Sequence, residues 1–275
     1  MEHELQEIVA VVNNKGGVGK TTTVQSIAAG LVRRNHNLRV LVVDLDPQCN
    51  LSSLMGMKKE GLSTIYEAMC KQSGLPIYKC KNGVYAVPGS GQMENIEQHL
   101  PGGPSLREQM KSYTVLLSCL QDNNCIDMTG EGLKNIFDDF DYVIIDCPPA
   151  LSKNTYNALV AASKVLIPVQ MEALSVKGVD EIFSVMEEVK EFHMNDNLKM
   201  MGLLPVMVDE RTNITKELRQ LLGEKHGENV IPCRIRRCVK LVESQARGES
   251  VFEYAPYCSA GIDYEKAIKI MFNLK

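Results

Sequence analysis

The chain has 275 residues, of which 44% are hydrophobic and 23% charged, and its formal net charge is −4. This is the composition of an ordinary globular protein, so intrinsic disorder is not expected. The acidic balance excludes a globally basic nucleic-acid-binding protein and leaves only a local basic patch for any contact with DNA.

The nine cysteines include no Cys-x-x-Cys pair, which argues against a zinc knuckle and against a disulfide framework. The first residues contain no apolar run, and no stretch approaches 18 uninterrupted apolar residues. We therefore expect neither a signal peptide nor a membrane-spanning helix, and we predict a cytoplasmic protein with reduced thiols.

Apolar, β-branched runs alternate with helical patterns along the chain. Strands are predicted at residues 8–12, 39–43, 84–87, 142–145, 165–169 and 203–208, and helices at 23–34, 62–71, 179–192, 214–225 and 264–272. This alternation predicts an α/β fold with a mostly parallel sheet and helices on both faces. We expect one domain over residues 1–275, in which 89–135 is the least readable segment and carries no recognisable chemistry.

A glycine-rich turn, NKGGVGKTT from Asn14 to Thr22, lies between the first predicted strand and helix, as a phosphate-binding loop requires. Glycines let main-chain amides turn inward and surround phosphate oxygens, and the helix that follows directs its positive end at them. Lys20 would reach the β- and γ-phosphates, and Thr21 would give its hydroxyl to Mg²⁺. The alternative is a tight turn that binds no ligand. The predicted nucleotide-binding residues in this turn are Lys15, Gly16, Gly17, Val18, Gly19, Lys20, Thr21 and Thr22.

Three aspartates follow two of the predicted strands. Asp44 and Asp46 come after the second strand, and Asp146 follows residues 142–145. Ligands of open α/β sheets bind at the carboxyl ends of strands, and Mg²⁺ prefers carboxylate oxygens. Asp146 has the form of a Walker B carboxylate, which holds Mg²⁺ directly or through water. Asp44 and Asp46 could instead cap a turn.

The run Lys-Gly-Gly-Val-Gly-Lys-Thr-Thr resembles the deviant Walker A motif of the ParA/MinD group of ATPases, with Asn14 at the position of the usual first glycine. The resemblance continues through residues 42–48 and 144–149 and covers most of the chain. The short Soj/ParA proteins are the most similar members in pattern. Segment 89–135 is longer than this family leads us to expect.

The resemblance implies Mg²⁺ and ATP as cofactors and a homodimer that encloses the nucleotide. Lys15 would cross to the partner's phosphates, Asp46 would orient the attacking water, and Lys15, Lys20 and Asp46 would be the catalytic residues. Without the family, Lys15 would be a solvated charge or a second phosphate contact within its own chain. The implied Mg²⁺ ligands are Thr21, Asp46 and Asp146, with Asp44 supporting either the metal shell or the loop, and Pro232 would contact the base.

A basic cluster, formed by Arg234, Arg236, Arg237 and Lys240, interrupts this acidic chain. Because the short ParA proteins bind DNA non-specifically near this point, the resemblance implies salt-sensitive binding to DNA phosphates. The alternative is a solvated face with a few ion pairs. The same resemblance implies a ParB-type partner protein that stimulates hydrolysis, and association with the nucleoid in the ATP state.

Two other functions stay open. A MinD-like membrane switch would need an amphipathic C-terminal helix, but residues 264–275 look like a core helix, so no stable membrane association is expected. The second open function is that of a metabolic enzyme of the same superfamily, such as a nitrogenase-reductase-like iron protein or an amidoligase. The iron protein would need bridging cysteines, and Cys119 and Cys125 match no such motif.

Overall fold

The computed structural model describes residues 5–57, 61–71, 73–103, 105–122 and 125–274. Its strands are β1 (Glu7–Val11), β2 (Val40–Asp44), β3 (Leu75–Lys79), β4 (Tyr85–Val87), β5 (Cys125–Asp127), β6 (Tyr142–Asp146), β7 (Lys164–Gln170) and β8 (Lys199–Val206). Its helices are α1 (Lys20–Arg34), α2 (Asn50–Leu54), α3 (Ile65–Lys71), α4 (Leu106–Lys111), α5 (Val115–Gln121), α6 (Ile136–Asp139), α7 (Lys153–Ala161), α8 (Ala173–Glu191), α9 (Asn213–His226), α10 (Val239–Ala246), α11 (Val251–Tyr254) and α12 (Ser259–Met271). Two 3₁₀-helices span Gly91–Gln98 and Gly227–Asn229.

The strands form one sheet in the order β5-β3-β4-β2-β6-β1-β7-β8. The six strands from β4 to β8 in this order are parallel, whereas β3 runs antiparallel to β4 and parallel to β5. The predicted mostly parallel sheet is therefore confirmed. The two reversed strands at one edge were not predicted, because β3 contains a proline and β5 has only three residues.

Apolar cores cover both faces of the sheet. Successive residues of β1 alternate between them: Val9 and Val11 belong to the core that contains α1 and α12, and Ala10 belongs to the core that contains α7 and α8. Burial on both faces explains why these strands are continuous apolar runs. The helices predicted on both faces are confirmed.

Helix α12 packs against α1 in the second core. Tyr264 and Ile268 are fully buried there, and the Tyr264 and Thr23 hydroxyls lie 3.1 Å apart. The apolar face of this helix is thus covered by the protein, as the sequence indicated. In the part of the chain that the structure describes, no helix is long and apolar enough to cross a membrane.

Segment 89–135 carries a 3₁₀-helix, α4, α5 and β5. Met93, Ile96 and Leu116 are buried in the first core, so the segment packs on the sheet. Asn157 in α7 accepts a hydrogen bond from the Leu116 amide at 3.0 Å and donates to the Ser112 carbonyl at 2.8 Å. That residues 1–275 form a single domain stays a prediction.

Candidate nucleotide-binding site

The register of the central strands gathers the predicted site at one edge of the sheet. Asp146 pairs with Val11 on one side and with Asp44 on the other. The glycine-rich turn follows β1 directly, so it lies beside both carboxylates. The turn and the three aspartates, which are distant in sequence, thus share the carboxyl ends of β1, β2 and β6.

The turn has the backbone conformation that its glycines predict. Gly17 and Gly19 have φ angles of 76° and 81°, a left-handed conformation that glycine adopts without strain. Asn13 fixes the start of the turn, because its amide donates to the Pro168 carbonyl at 2.8 Å and its oxygen accepts from the Lys15 amide at 2.9 Å.

Helix α1 begins at Lys20 without a side-chain cap, since its N-cap residue is Gly19. The first amides of an uncapped helix need an acceptor from outside the helix. Among the described residues, none accepts a hydrogen bond of ordinary geometry from the amides of 16–19. Together these amides form a suitable cradle for phosphate oxygens.

Lys20 is a buried cation in this cradle. Only 6% of the residue is exposed, and its ammonium donates to the Lys15 carbonyl at 3.1 Å. Burial lowers the pKa of Lys20, and the nearby Asp146 and Asp46 oppose this shift. A buried ammonium beside a ring of amides favours a polyanionic ligand.

Asp146 has the properties of a metal ligand. Its residue is fully buried, and neither carboxylate oxygen makes a hydrogen bond of ordinary geometry, although the Thr21 side chain is close enough to favour the charged form. Burial raises the pKa of Asp146 well above its usual range, and the neighbouring Asp44 raises it further. A buried, unpartnered carboxylate next to a hydroxyl fits a divalent cation with oxygen ligands.

Asp44 and Asp46 have different surroundings. Asp44 accepts from the Ser52 amide at 2.8 Å, from the Ser52 hydroxyl at 2.6 Å and from the Asp46 amide at 3.2 Å. Burial raises the pKa of Asp44 to about 6, although these hydrogen bonds lower it. Its oxygens are thus engaged in holding the loop after β2, so the geometry favours loop support over a place in the metal shell.

Asp46 lines a cleft. One of its oxygens accepts from the Gln48 amide at 3.0 Å, which fixes the turn after β2. The cleft has a volume of about 250 Å³, and its lining includes Asp46, Pro149 and Asn154. The carboxylate that the sequence singled out for activating water therefore borders a space that solvent can fill.

Lys15 points across the loop towards α8. Its ammonium lies 2.6 Å from a carboxylate oxygen of Glu172, the residue that precedes this helix. Both side chains are partly exposed, so the ion pair contributes at most about 1 kcal/mol and can be exchanged for a stronger anion. Asn14 beside it donates to Glu181, and Gly178 allows this approach because a Cβ there would lie 2.5 Å from the Asn14 oxygen.

The segment that carries Pro232 and the basic cluster runs alongside β8. The Ile231 amide donates to the Leu203 carbonyl at 3.0 Å, and the Ile235 amide donates to the Pro205 carbonyl at 2.8 Å. Pro232 is exposed on this segment. The role of Pro232 at the base stays a prediction.

Three side chains of the basic cluster are already paired with carboxylates. Arg234 pairs with Glu210, Arg236 makes two side-chain hydrogen bonds of 2.8 Å to Asp263, and Lys240 lies 2.9 Å from Glu243. Arg237 is exposed and makes no ion pair with any described residue. Arg236 is thus a structural residue as much as a surface charge.

Two contacts of the site had no signal in the sequence. Met207, just after β8, has a φ of 52° and places its methyl group 3.5 Å from the position of a Cβ on Gly19. Gln245 in α10 donates to the Thr22 hydroxyl. Both contacts join segments far apart in sequence, so only the fold reveals them.

Comparison with known proteins agrees with this geometry. A family model described as an AAA domain matches residues 6–200. The chromosome-partitioning ATPase Soj of Thermus thermophilus is 34% identical over 90% of this chain and 88% of its own length. The chromosome partitioning protein ParA of Myxococcus xanthus is 32% identical over 90% of this chain and 81% of its own length. The chain belongs to the ParA/Soj family of P-loop ATPases.

Solved structures share the fold of this ParA/Soj ATPase. A cobyrinic acid a,c-diamide synthase from Mycobacterium smegmatis, solved with an ATP analog and magnesium, superposes with a TM-score of 0.76 at 27% identity and covers 98% of this chain and 95% of its own. McdA of Cyanothece superposes with a TM-score of 0.81 at 18% identity, over 99% and 98% of the two chains. The predicted P-loop fold is confirmed.

Replacing Asp146 with asparagine is expected to stabilise the nucleotide-free protein. Burial raises the pKa of Asp146, so the folded state holds the proton more tightly than the unfolded state, and the free energy of unfolding falls as pH rises. Asparagine removes the buried charge. We expect a gain of about 1 kcal/mol or more at pH 7.5, which is about 2–4 °C in Tm.

Calorimetry of both proteins at pH 5 and pH 7.5 measures this effect. The gain should be smaller at pH 5, because protonation there removes part of the same penalty from the parent protein. Asp44 contributes in the same direction in both proteins, since its pKa rises from an ordinary 3.8 to about 6. An unchanged or lower Tm of the variant at pH 7.5 would show that Asp146 is not a strained buried charge.

Proposed function

We propose that this ATPase binds Mg·ATP at residues 15–22, dimerises around the nucleotide and binds DNA without sequence preference in the segregation of DNA. A ParB-type partner would stimulate hydrolysis, and the ATP-bound dimer would associate with the nucleoid. The observation that carries the proposal is the buried Asp146, whose carboxylate oxygens make no hydrogen bond of ordinary geometry, beside the buried Lys20 of the glycine-rich turn.

Each residue of the site has a place in this proposal. The amides of 16–19 and the ammonium of Lys20 bind and neutralise the phosphates, and Thr22 closes the loop through Gln245. Thr21, Asp146 and Asp46 would hold Mg²⁺, with Asp44 supporting the loop. Bound Mg²⁺ neutralises charge on the phosphate oxygens during transfer. Asp46 positions the attacking water at the cleft, and Lys15 supplies a further positive charge to the partner's nucleotide.

The relatives support both the cofactors and the process. The relatives from T. thermophilus and M. xanthus are named as chromosome-partitioning proteins. The M. smegmatis enzyme was solved with an ATP analog and magnesium bound. An amidoligase is a second candidate function, because this M. smegmatis protein is a diamide synthase and is 27% identical to the chain over nearly its whole length.

A DNA-binding titration with ATP, with ADP and without nucleotide tests the proposal. Binding should be strong only with ATP, should not depend on sequence, and should weaken steeply with salt. If DNA binding is equal with ATP, with ADP and without nucleotide, the proposal that ATP controls DNA binding is wrong. An amidoligase would instead consume ATP only when a carboxylic acid substrate and an amide donor are added. A membrane switch would be favoured if the ATP-bound protein binds anionic vesicles and does not bind DNA.

Within the basic cluster, we expect Arg237 and Lys240 to contribute most to DNA affinity. Arg237 makes no ion pair within the described part of the chain, and Lys240 is held by an exposed ion pair with Glu243 and by the Tyr254 ring, whereas Arg236 makes two side-chain hydrogen bonds to Asp263. Replacing Arg237 and Lys240 with alanine should reduce the slope of log affinity against log salt by about 2 per chain and leave basal hydrolysis intact.

The matched control replaces Lys216 and Arg219 of α9, which lie in another helix, with alanine. Their loss should change DNA affinity less than loss of Arg237 and Lys240. If loss of Arg237 and Lys240 leaves DNA affinity unchanged, the DNA surface lies elsewhere, and if both double variants lose affinity equally, the surface extends to α9.

A further inference from the structure

Two cysteines that the nucleotide site does not use lie at the starts of neighbouring helices. Cys238 is the N-cap residue of α10, and Cys258 is the N-cap residue of α12. Both are partly exposed free thiols. The two thiols are close enough to shift each other's pKa, although the cysteines are far apart in sequence.

The surrounding contacts keep the pair together. Arg236 binds Asp263 through its amide at 2.9 Å and through its guanidinium, which holds the chain before Cys238 against the first turns of α12. The Cys258 sulfur accepts from the Gly261 amide at 3.4 Å. The Ser259 side chain and the Ala260 amide lie close enough to the Cys238 sulfur to lower the pKa of Cys238. Both sulfurs therefore lie at the N-terminus of α12.

We propose that Cys238 and Cys258 form a reversible redox pair that hydrogen peroxide oxidises to a disulfide. The Cys238 thiolate attacks one peroxide oxygen, the O–O bond breaks, and Cys238 becomes a sulfenic acid as hydroxide leaves. The Cys258 sulfur then attacks the Cys238 sulfur and expels a second hydroxide, and the protons of the two thiols complete two waters. Two electrons pass from the sulfurs to the peroxide, and an added dithiol reverses the change.

The electrostatics favour Cys238 as the attacking thiol. Burial opposes its ionisation, but the hydrogen bonds from Ser259, Ala260, Leu241 and Cys258 outweigh burial and lower the pKa of Cys238 to about 7. Burial raises the pKa of each of the other eight cysteines, including Cys258 and the partly exposed Cys70. Cys238 thus has the largest thiolate fraction at neutral pH, and its partner lies within reach.

The test treats the reduced, full-length protein with hydrogen peroxide at pH 7, blocks the remaining thiols and maps the peptides without reduction. The Cys238 and Cys258 peptides should be linked, and the link should disappear with dithiothreitol. In Cys258→Ser, Cys238 should stop at the sulfenic acid and react with dimedone, while Cys70→Ser, the control, should still form the link. Absence of the link where Cys238 is oxidised beyond the sulfenic acid would overturn the proposal.

A second measurement needs no variant. Alkylation of the untreated protein at pH 7 should modify Cys238 at least about fivefold faster than Cys70, because a larger thiolate fraction outweighs a lower intrinsic nucleophilicity. Equal rates would also overturn the proposal. The inference stands apart from the nucleotide site, since neither measurement uses ATP or DNA.

Discussion

Replacing Lys15 with alanine is expected to abolish the ATP-dependent dimer and to lower hydrolysis by about 10³-fold, as loss of an arginine finger does. Lys15 lies at the surface of the loop and binds Glu172 through a partly exposed ion pair, which a partner's phosphates can replace at little cost. Size-exclusion chromatography with light scattering, in Mg·ATP, measures the dimer. ATP binding by the monomer should change little, because Lys20 and the loop amides remain.

Glu172→Gln is the matched control for Lys15→Ala. Both changes remove the Lys15–Glu172 ion pair, but only Lys15→Ala removes the lysine. Glu172→Gln should therefore keep the dimer. If it loses the dimer as Lys15→Ala does, the ion pair itself is what matters; if Lys15→Ala still dimerises with ATP, the lysine does not act across the interface.

Replacing Asp46 with alanine is expected to stop hydrolysis while ATP still binds, so that the dimer accumulates. The carboxylate borders the cleft beside the loop, and loss of a group that positions or activates water costs at least about 100-fold in kcat. Phosphate release measures turnover, and light scattering with ATP measures the trapped dimer.

Asp46 also accepts a hydrogen bond from the Gln48 amide, so alanine changes the turn as well as the charge. Asp46→Asn keeps an oxygen for that hydrogen bond and removes only the charge. Both variants should be equally slow. An active Asp46→Asn protein would assign the defect of the alanine variant to the loop, and an alanine variant with ordinary turnover would remove Asp46 from the mechanism.

The central strands and the glycine-rich turn were readable because their signals are local. A run such as residues 142–145 is apolar on both faces and ends in Asp146, and the turn needs glycine at positions with positive φ. Family resemblance added the roles of Lys15 and Asp46, which their neighbours in sequence do not specify.

Other elements were missed because tertiary contacts decide them. Helix α7 buries Asn154 and Asn157, whose side-chain amide nitrogens donate to the distant carbonyls of Met93 and Ser112, so it lacks an apolar stripe at its start. Helix α10 exposes Val239 and Val242, the reverse of an ordinary amphipathic pattern. In the basic cluster, Arg236 likewise pairs with Asp263 in α12, and composition cannot reveal such a contact.

The most direct test is a crystal structure of the Asp46→Ala variant grown with ATP and Mg²⁺. We predict a triphosphate against the amides of 16–19, Mg²⁺ beside Thr21 and Asp146, and the Lys15 ammonium moved from Glu172 to the phosphates of a second subunit. A turn without nucleotide, or a bound nucleotide with Lys15 still on Glu172 in a monomer, would contradict it.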